Sequence, residues 1–570
     1  MKPVILFIAA LFAVTPLAIA QELNYELSEP IEISKMGLDR IVMMKNGNTV
    51  LFHFELRKGI VVKVFDATHK EIASQKHLCK AIDINTLDLA ELKAIEAIDN
   101  EAVLFITQEV DNKETLVRLR INANTGGLIA EDKLIQSESF KNATKTIVLK
   151  QPGIDTYYIV CDKVRPGFVE NEIFVNQYDA THKLIGTVPL TIDQEGYDYI
   201  DMHNAQIDNE GGIAIAVEFG KIIQYPDINS RHIEQCYLFK NTKEFFIAKA
   251  ELPSNYTAIL TDLTFNPFEK NHNLLVSVND HRKIEYGASL QDVVYQNHYV
   301  MITNDDLTSL KYVGLDNHKL QSLIGNALDT QQLFNGNTIY TSTSSNGIST
   351  VVYDGIIQHR DVFGLMNNVG YKHAIGITQY NAEGAETWSA VLPVSRLRNY
   401  EKYPSVFLGL GGRTAENNYS QFGSNYIAAR NSNQISPARR QQLRNMGLAD
   451  DESKAPCIGS EASICYAHTI AGKKAGYLFY NELDRNQTNQ LAGFPDSIYN
   501  CEQSIACYSI INKKKPLTKV PLFGKKSNEF KQVIAGSGIY DTDKNLYVTL
   551  IRDRKGREVT SKIAWIQLEP

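Results

Sequence analysis

Acid and arginine stand close together at five places in the chain. They are Glu55 with Arg57, Asp162 with Arg165, Asp280 and His281 with Arg282, Asp484 with Arg485, and Asp553 with Arg554. The guanidinium fork suits the two oxygens of a carboxylate or phosphate, and a carboxylate accepts from sugar hydroxyls. Gathered around one opening, these residues would bind such groups. Two of the acids held about 5–10 Å apart would instead make an acid/base pair for cutting a polymer, drawn from Asp162, Asp280, Asp484 or Asp553. The plainer reading of each is a solvated loop with a surface ion pair of little energetic value. His281, His298, His359 and His373 offer acids, bases or ligands in the same way, although a lone loop histidine is ordinarily just exposed.

Other chemistry is thinly signalled. Asp541, Asp543 and Asn545 put oxygens at alternate positions, as the start of a calcium loop does, but no glycine follows at the sixth position. The same residues read equally as a hairpin turn, and no cofactor or metal is expected. Gly409–Thr414 departs from the phosphate-binding G-x-x-x-x-G-K-[ST] pattern. Neither G-x-S-x-G nor H-E-x-x-H occurs. Seven cysteines are present, and four of them cluster near the C-terminus: Cys457, Cys465, Cys501 and Cys507. In an oxidising compartment they allow two bridges in three connectivities, of which Cys457–Cys465 and Cys501–Cys507 are favoured.

The elements that must carry these residues are strands. Short runs rich in Val, Ile, Tyr, Phe and Thr alternate with polar turns throughout, and long helical periodicity is nearly absent. The chain also repeats itself. Phe65-Asp66-Ala67-Thr68-His69-Lys70 recurs as Tyr178-Asp179-Ala180-Thr181-His182-Lys183, with Ile121-Asn122-Ala123-Asn124-Thr125-Gly126 midway. Weaker copies start near Phe239, Ile302 and Tyr380. A second turn type precedes the copies, as in Asn46-Gly47-Asn48-Thr49, Asn335-Gly336-Asn337-Thr338, Asp208–Ile213 and Asp541–Leu546. Two hairpin turns per unit mean four strands, a to d.

Four antiparallel strands repeated along a chain predict a single all-β β-propeller over 21–570, with eight blades or, as the alternative, seven. Tandem β-sandwiches are the competing all-β arrangement. The last unit ends after its third strand, and the segment Leu23–Ile33 has strand character without a partner. It could supply the missing fourth strand and remove the free sheet edges. Residues 394–464 break the pattern and read as a small loop and helix insertion, with Ser436 and Pro437 opening the helix. In such a ring the b–c and d–a connections share one face. The b–c connections near 219–234, 279–297 and 345–373 lengthen there, so that face is the expected working surface.

Tyr380 to Trp388 reads aromatic-Asn-Ala-Glu-Gly-Ala-Glu-Thr-Trp. This resembles the D-A-x-x-G-x-x-x-W hairpin of quinoprotein-like propeller repeats, over one hairpin per unit. The girdle of docking tryptophans of those enzymes has no counterpart here, so the resemblance does not imply their quinone. The chain as a whole resembles the secreted, signal-peptide-bearing propellers of unknown function common in Gram-negative bacteria.

Residues 1–20 read as a secretory signal peptide: Lys2, an apolar run from Val4 to Val14, then Ala18-Ile19-Ala20 before Gln21. That predicts export to the periplasm or the cell exterior, and a mature chain without a transmembrane span. A net charge of -7 gives no case for nucleic acid. The expected function is non-enzymatic binding of a protein or a glycan through the b–c face. A hydrolase or lyase acting on an extracellular polymer, and a structural or assembly subunit of an envelope complex, are the alternatives.

Overall fold

A computed structural model describes residues 23–568, apart from the stretches 164–171, 191–198, 281–296, 359–370, 395–465 and 484–503 and a number of shorter ones. The described residues form antiparallel sheets in series, and all but the last are four-stranded and built from strands consecutive in sequence. Sheet one comprises Leu38–Met43, Thr49–Glu55, Gly59–Phe65 and Glu71–His77, and sheet two Glu91–Ile98, Glu101–Val110, Lys113–Asn122 and Leu128–Gln136. Sheet three comprises Thr144–Lys150, Tyr157–Lys163, Glu172–Tyr178 and Leu184–Leu190, and sheet four Tyr199–Ile207, Ile213–Gln224, Asn229–Asn241 and Phe245–Glu251. Sheet five holds Tyr256–Asn266, Asn271–Asp280, Asn297–Thr303 and Leu310–Leu315. Sheet six holds Gly336–Thr343, Ser349–Gln358, Tyr371–Tyr380 and Glu386–Val394. Sheet seven holds Tyr466–Ala471, Gly476–Leu483, Ser504–Ile511 and Val520–Pro521.

Sheet eight is assembled from both ends of the chain. Glu529–Val533 and Ile539–Asp541 share the innermost position beside Leu546–Lys555, and Glu558–Gln567 follows. Asn24–Leu27 then pairs antiparallel with Glu558–Gln567, Asn24 opposite Gln567 and Leu27 opposite Ala564. Ser28 extends the join: its backbone N donates to Ile563 O at 2.9 Å, and its hydroxyl accepts from Ile563 N at 3.0 Å.

The sheets stack face on face, and apolar strand residues fill the seams whose side chains are described. Val62, Phe52 and Leu104 belong to the seam between sheets one and two; Phe105, Tyr157 and Cys161 to that between two and three. The last sheet packs back on the first. Ile41, Leu51 and Phe65 of sheet one meet Val548, Leu550, Ile563 and Trp565 of sheet eight, so the series closes. Period-two alternation makes this possible, because each central strand offers one row of side chains to each neighbour.

The repeated turns share their hydrogen bonds as well as their sequence. The Asp66 carboxylate accepts from Thr68 N, Thr68 Oγ1 and Lys70 N at 2.8, 2.8 and 3.1 Å. Asp179 does the same for Thr181 N, Thr181 Oγ1 and Lys183 N at 2.9, 2.7 and 3.0 Å. The histidine of each copy, His69 and His182, sits in the left-handed region at φ 66 and 68°.

One helix, His318–Leu328, joins sheets five and six and has no counterpart in the expected layout. Leu320 and Ile324 are buried on sheet six, and Gly376 makes room: a Cβ there would meet Leu320 at 2.9 Å. The buried Glu386 carboxylate caps the helix, accepting from Lys319 N at 2.6 Å and Leu320 N at 3.0 Å. Leu320, Leu323, Ile324 and Ala327 carry the i, i+3, i+4, i+7 spacing that marks this helix. The expected insertion at 394–464, apart from its first residue, lies outside the described residues, as do residues 1–20. Among the described residues no helix is long and apolar enough to cross a membrane.

Candidate functional site

Of the acid and arginine candidates, the structure describes the side chains of Glu55, Arg57, Asp162, Asp553 and Arg554. Arg57 is exposed in the b–c turn of sheet one, with φ 62°, and its backbone N donates to Ile84 O at 2.8 Å. Asp162 is fully buried, and its Oδ2 accepts from Met202 N of sheet four at 3.1 Å. Asp553 is half-buried between two lysines, 3.0 Å from Lys562 Nζ and 3.9 Å from Lys531 Nζ. Arg554 is half-buried beside it. Asp280 ends a strand of sheet five, and its side chain lies outside the described residues. Arg165, His281, Arg282, Asp484 and Arg485 lie outside them altogether, with Cys457, Cys465 and Cys501. Cys507 is buried in sheet seven beside Leu478 and Tyr480. At 541–545 the Asp541 carboxylate accepts from Asp543 N and Lys544 N at 3.0 and 2.9 Å, while Tyr540 Oη donates to Asn545 Oδ1 at 2.7 Å. These are the bonds of a hairpin turn.

Asp162 belongs to a pattern. Near the end of a second strand, a polar side chain reaches the first strand of the next sheet. Asn481 donates to Val533 O at 2.8 Å and accepts from Val533 N at 2.9 Å, and Thr107 meets Thr146 at 3.4 Å. Buried backbone groups of each inner strand thereby find partners.

At the closing seam the corresponding region is ionisable. Asp39 and His53 are both buried and stand opposite each other in the ladder of sheet one. Asp39 Oδ1 lies 2.7 Å from His53 Nδ1, and Glu55 Oε1 lies 3.6 Å from His53 Nε2. Arg552 of sheet eight, also buried, adds its charge from across the seam. Burial pulls the His53 pKa down, but Asp39 and Glu55 outweigh it and hold the value above that of an ordinary histidine, against Arg552. Lys58 and Lys76 lie 3.9 and 3.8 Å from Glu55 on the solvent side. Sequence reading passed over this group. Its signal is the alternation Leu51, His53, Glu55 on one face of an otherwise apolar strand.

At the other end of the same seam, where the a–b and c–d turns lie, the sheets part around a cleft of about 290 Å³. Met43, Lys45, Asn46 and Gly47 of the first a–b turn, Ala67 and His69 of the first c–d turn, and Lys544, Leu546 and Trp565 of sheet eight line it. His69 lies flat on Trp565, with ring centres 4.0 Å apart and planes 12° apart. Its Nδ1 is 2.6 Å from Glu26 Oε2 of the N-terminal strand. Trp565 Nε1 donates to Thr49 Oγ1 at 3.1 Å, which fixes the indole. Lys45 donates to both oxygens of Asp155 at 2.8 Å, yet its side chain stays 49% exposed. Burial raises the Asp155 pKa, and the bond from Lys45, the backbone bond from Asp99 and the charges of Lys45 and Lys150 together more than reverse that, so the group titrates below the usual range. Lys544 is 43% exposed, 3.7 Å from Asp541.

No protein-family model matches the chain, and no curated relative does. Among solved structures it is similar to the WD40 domain of SCAP from fission yeast, at 8% identity over 95% of this chain and 98% of that one, with a TM-score of 0.35. It is also similar to prolyl oligopeptidase B from Galerina marginata, at 7% identity over 94% and 56%, TM-score 0.37. An alpha-L-arabinofuranosidase from Fusarium graminearum follows at 8% identity over 62% and 97%, TM-score 0.33. Likeness at this level transfers no activity, and the closed series of sheets stands on its own strand pairing and seams.

Proposed function

We propose that the chain is an exported, non-enzymatic binding module, an eight-bladed propeller closed by its N-terminal strand, that takes a protein or a glycan partner. One contrast carries this reading. The acids suited to proton transfer that the structure describes are engaged in holding the fold, whereas an open, ligand-sized cleft stands at the closing seam. Asp162 is dry and bonded to Met202, and Asp553 is clamped by Lys531 and Lys562. Rigid scaffolds with exposed connections are the usual platform for binding. Arg57 marks the b–c face as a second surface for the same partner, together with Arg165 and Arg282.

The purified chain on a glycan array, followed by titration of the hits, tests this. Saturable binding without change to the glycan is expected. Release of new reducing ends or unsaturated products from an extracellular polysaccharide would replace the proposal with the hydrolase or lyase reading.

A further inference from the structure

We infer that the cleft at the turn end of the closing seam is an anchor pocket for a bulky, uncharged apolar side chain of a protein partner. The inference rests on the binding reading above and names what that partner presents. The polar side chains of the lining are already engaged within the protein. Lys45 is held by Asp155, Lys544 lies 3.7 Å from Asp541, and His69 Nδ1 meets Glu26 Oε2 at 2.6 Å. Asn46 accepts from Asn48 N at 3.0 Å and donates to Asn124 Oδ1 at 3.2 Å. With its charges balanced and its amide bonded, the lining offers little to an ion or to a hydroxyl-rich sugar, which would have to compete with these pairs.

What remains of the lining is apolar. Met43, Ala67 and Leu546 share it with the ring of His69, which is backed by Trp565. Met43 and Leu546 are only half-buried, so apolar surface is left for a partner to cover. The bond from Trp565 to Thr49 fixes the indole behind His69, so this wall is formed in advance and a ligand need not order it. The pairs Lys45–Asp155, Lys544–Asp541 and His69–Glu26 flank that apolar centre with groups of both signs. An apolar centre within a charge-balanced polar rim is the anatomy of a protein–protein anchor, in which one side chain fills the pocket and the rim excludes water around it. At about 290 Å³ the cleft lies at the lower end of small-molecule sites, which run from about 300 to 1,000 Å³, and it takes one large side chain with part of its neighbour.

The test is calorimetric titration of the full chain with N-acetyl-phenylalaninamide, N-acetyl-alaninamide and cellobiose. Phenylalanine is the probe because a histidine ring and a methionine thioether both pack well on an aromatic. It should bind at least tenfold more tightly than the other two, and 0.5 M salt should change its affinity less than twofold. An alanine added on each side of the phenylalanine should tighten binding, as a side chain borne on a protein requires. Met43→Asp and Leu546→Asn should each weaken it at least tenfold. Thermal unfolding checks that the variants fold; one folded variant suffices, and the ranking of the probes decides if neither folds. No saturation by the phenylalanine amide at tens of millimolar, equal binding of the alanine amide or cellobiose, a strong salt dependence, weaker binding of the flanked phenylalanine, or indifference to a folded variant overturns the inference. If a glycan or a defined protein still binds, only the anchor assignment falls; if nothing binds, the binding reading falls with it.

Discussion

The seam between sheets two and three and the seam between sheets eight and one contain the same turn and treat it in opposite ways. At the former, His182 is almost fully covered. Its Nε2 lies 3.1 Å from Glu101 Oε2, and Tyr157 Oη lies 3.2 Å from its Nδ1. Arg118 fills the space beside it, bonded to Tyr157 Oη, to His182 O at 3.2 Å and to Asp132 at 2.8 and 2.9 Å. Burial raises the Tyr157 pKa to about 12. At the latter, His69 has the same backbone and the same Asp-Thr-Lys bonds, yet it is 24% exposed on the wall of a cleft. The opposite ends reverse the contrast. Thr107 and Thr146 meet at one seam, whereas Asp39, His53 and Arg552 are buried at the other. A repeat therefore specifies a hairpin, and the neighbouring sheet decides whether its histidine is mortar or binding surface.

The comparison can be broken at its root by deleting residues 21–28. This removes Leu23 from the core, four ladder residues and the Ser28 join. The loss should be about 4 kcal/mol or more, read as a lower urea midpoint. The bared edge of Glu558–Gln567 should also promote association, visible by light scattering. An unchanged midpoint would mean that the closing seam owes nothing to the N-terminal strand.

Asp39→Ala should follow, at about 3–5 kcal/mol, because it leaves buried His53 without the carboxylate that lies 2.7 Å from its Nδ1. Wild type should show the accompanying pH signature. The His53 pKa is raised on folding, so its stabilisation is complete below about 6.5 and drains as pH rises through the raised value. His182 has the opposite sign. Burial first, then Arg120 and Arg118, lower its pKa against Glu101, so its contribution is present above about 6.5 and is lost as pH falls through the depressed value. The loss of midpoint relative to wild type should therefore be greater toward pH 5 for Asp39→Ala and greater toward pH 8 for His182→Asn. Parallel shifts would remove the distinction between the seams.

The last pair is the smallest and the sharpest. Asparagine tolerates the left-handed backbone of both histidines, so the substitution isolates the ring. His182→Asn should cost about 1–2 kcal/mol through lost buried bonds. His69→Asn should cost less than about 1 kcal/mol, since its partner Glu26 is exposed, and should act on ligand affinity instead. Equal costs by chemical denaturation would make the two copies equivalent.

Much of this scaffold can be read directly from residue order. The Asp66 and Asp179 turns were visible because a short carboxylate next to Thr closes a hairpin through local bonds alone. The N-terminal strand was visible because the last unit lacked one. The helix His318–Leu328 was passed over, although its spacing is helical, because it falls between two strand units and reads there as a connection. Asp162 and Asp553 looked like loop acids because sequence does not say where a strand ends. Two or three residues decide whether such a side chain meets water or the next sheet. The cleft was illegible for another reason: Lys45 and Lys544 are some 500 positions apart, and only closure of the ring makes them neighbours.

That closure also sets an order of events. Ser28 bonds to Ile563 across 535 positions, and Thr49 to Trp565 across 516, whereas every described strand other than Asn24–Leu27 pairs within its own unit. Local hairpins form early, and contacts between distant parts of the chain come late because loop closure opposes them. During synthesis, sheet one waits with Leu51 and Phe65 uncovered until residues near 565 arrive. The cleft at the closing seam is thus the last part of the molecule to exist, and only a finished ring carries it.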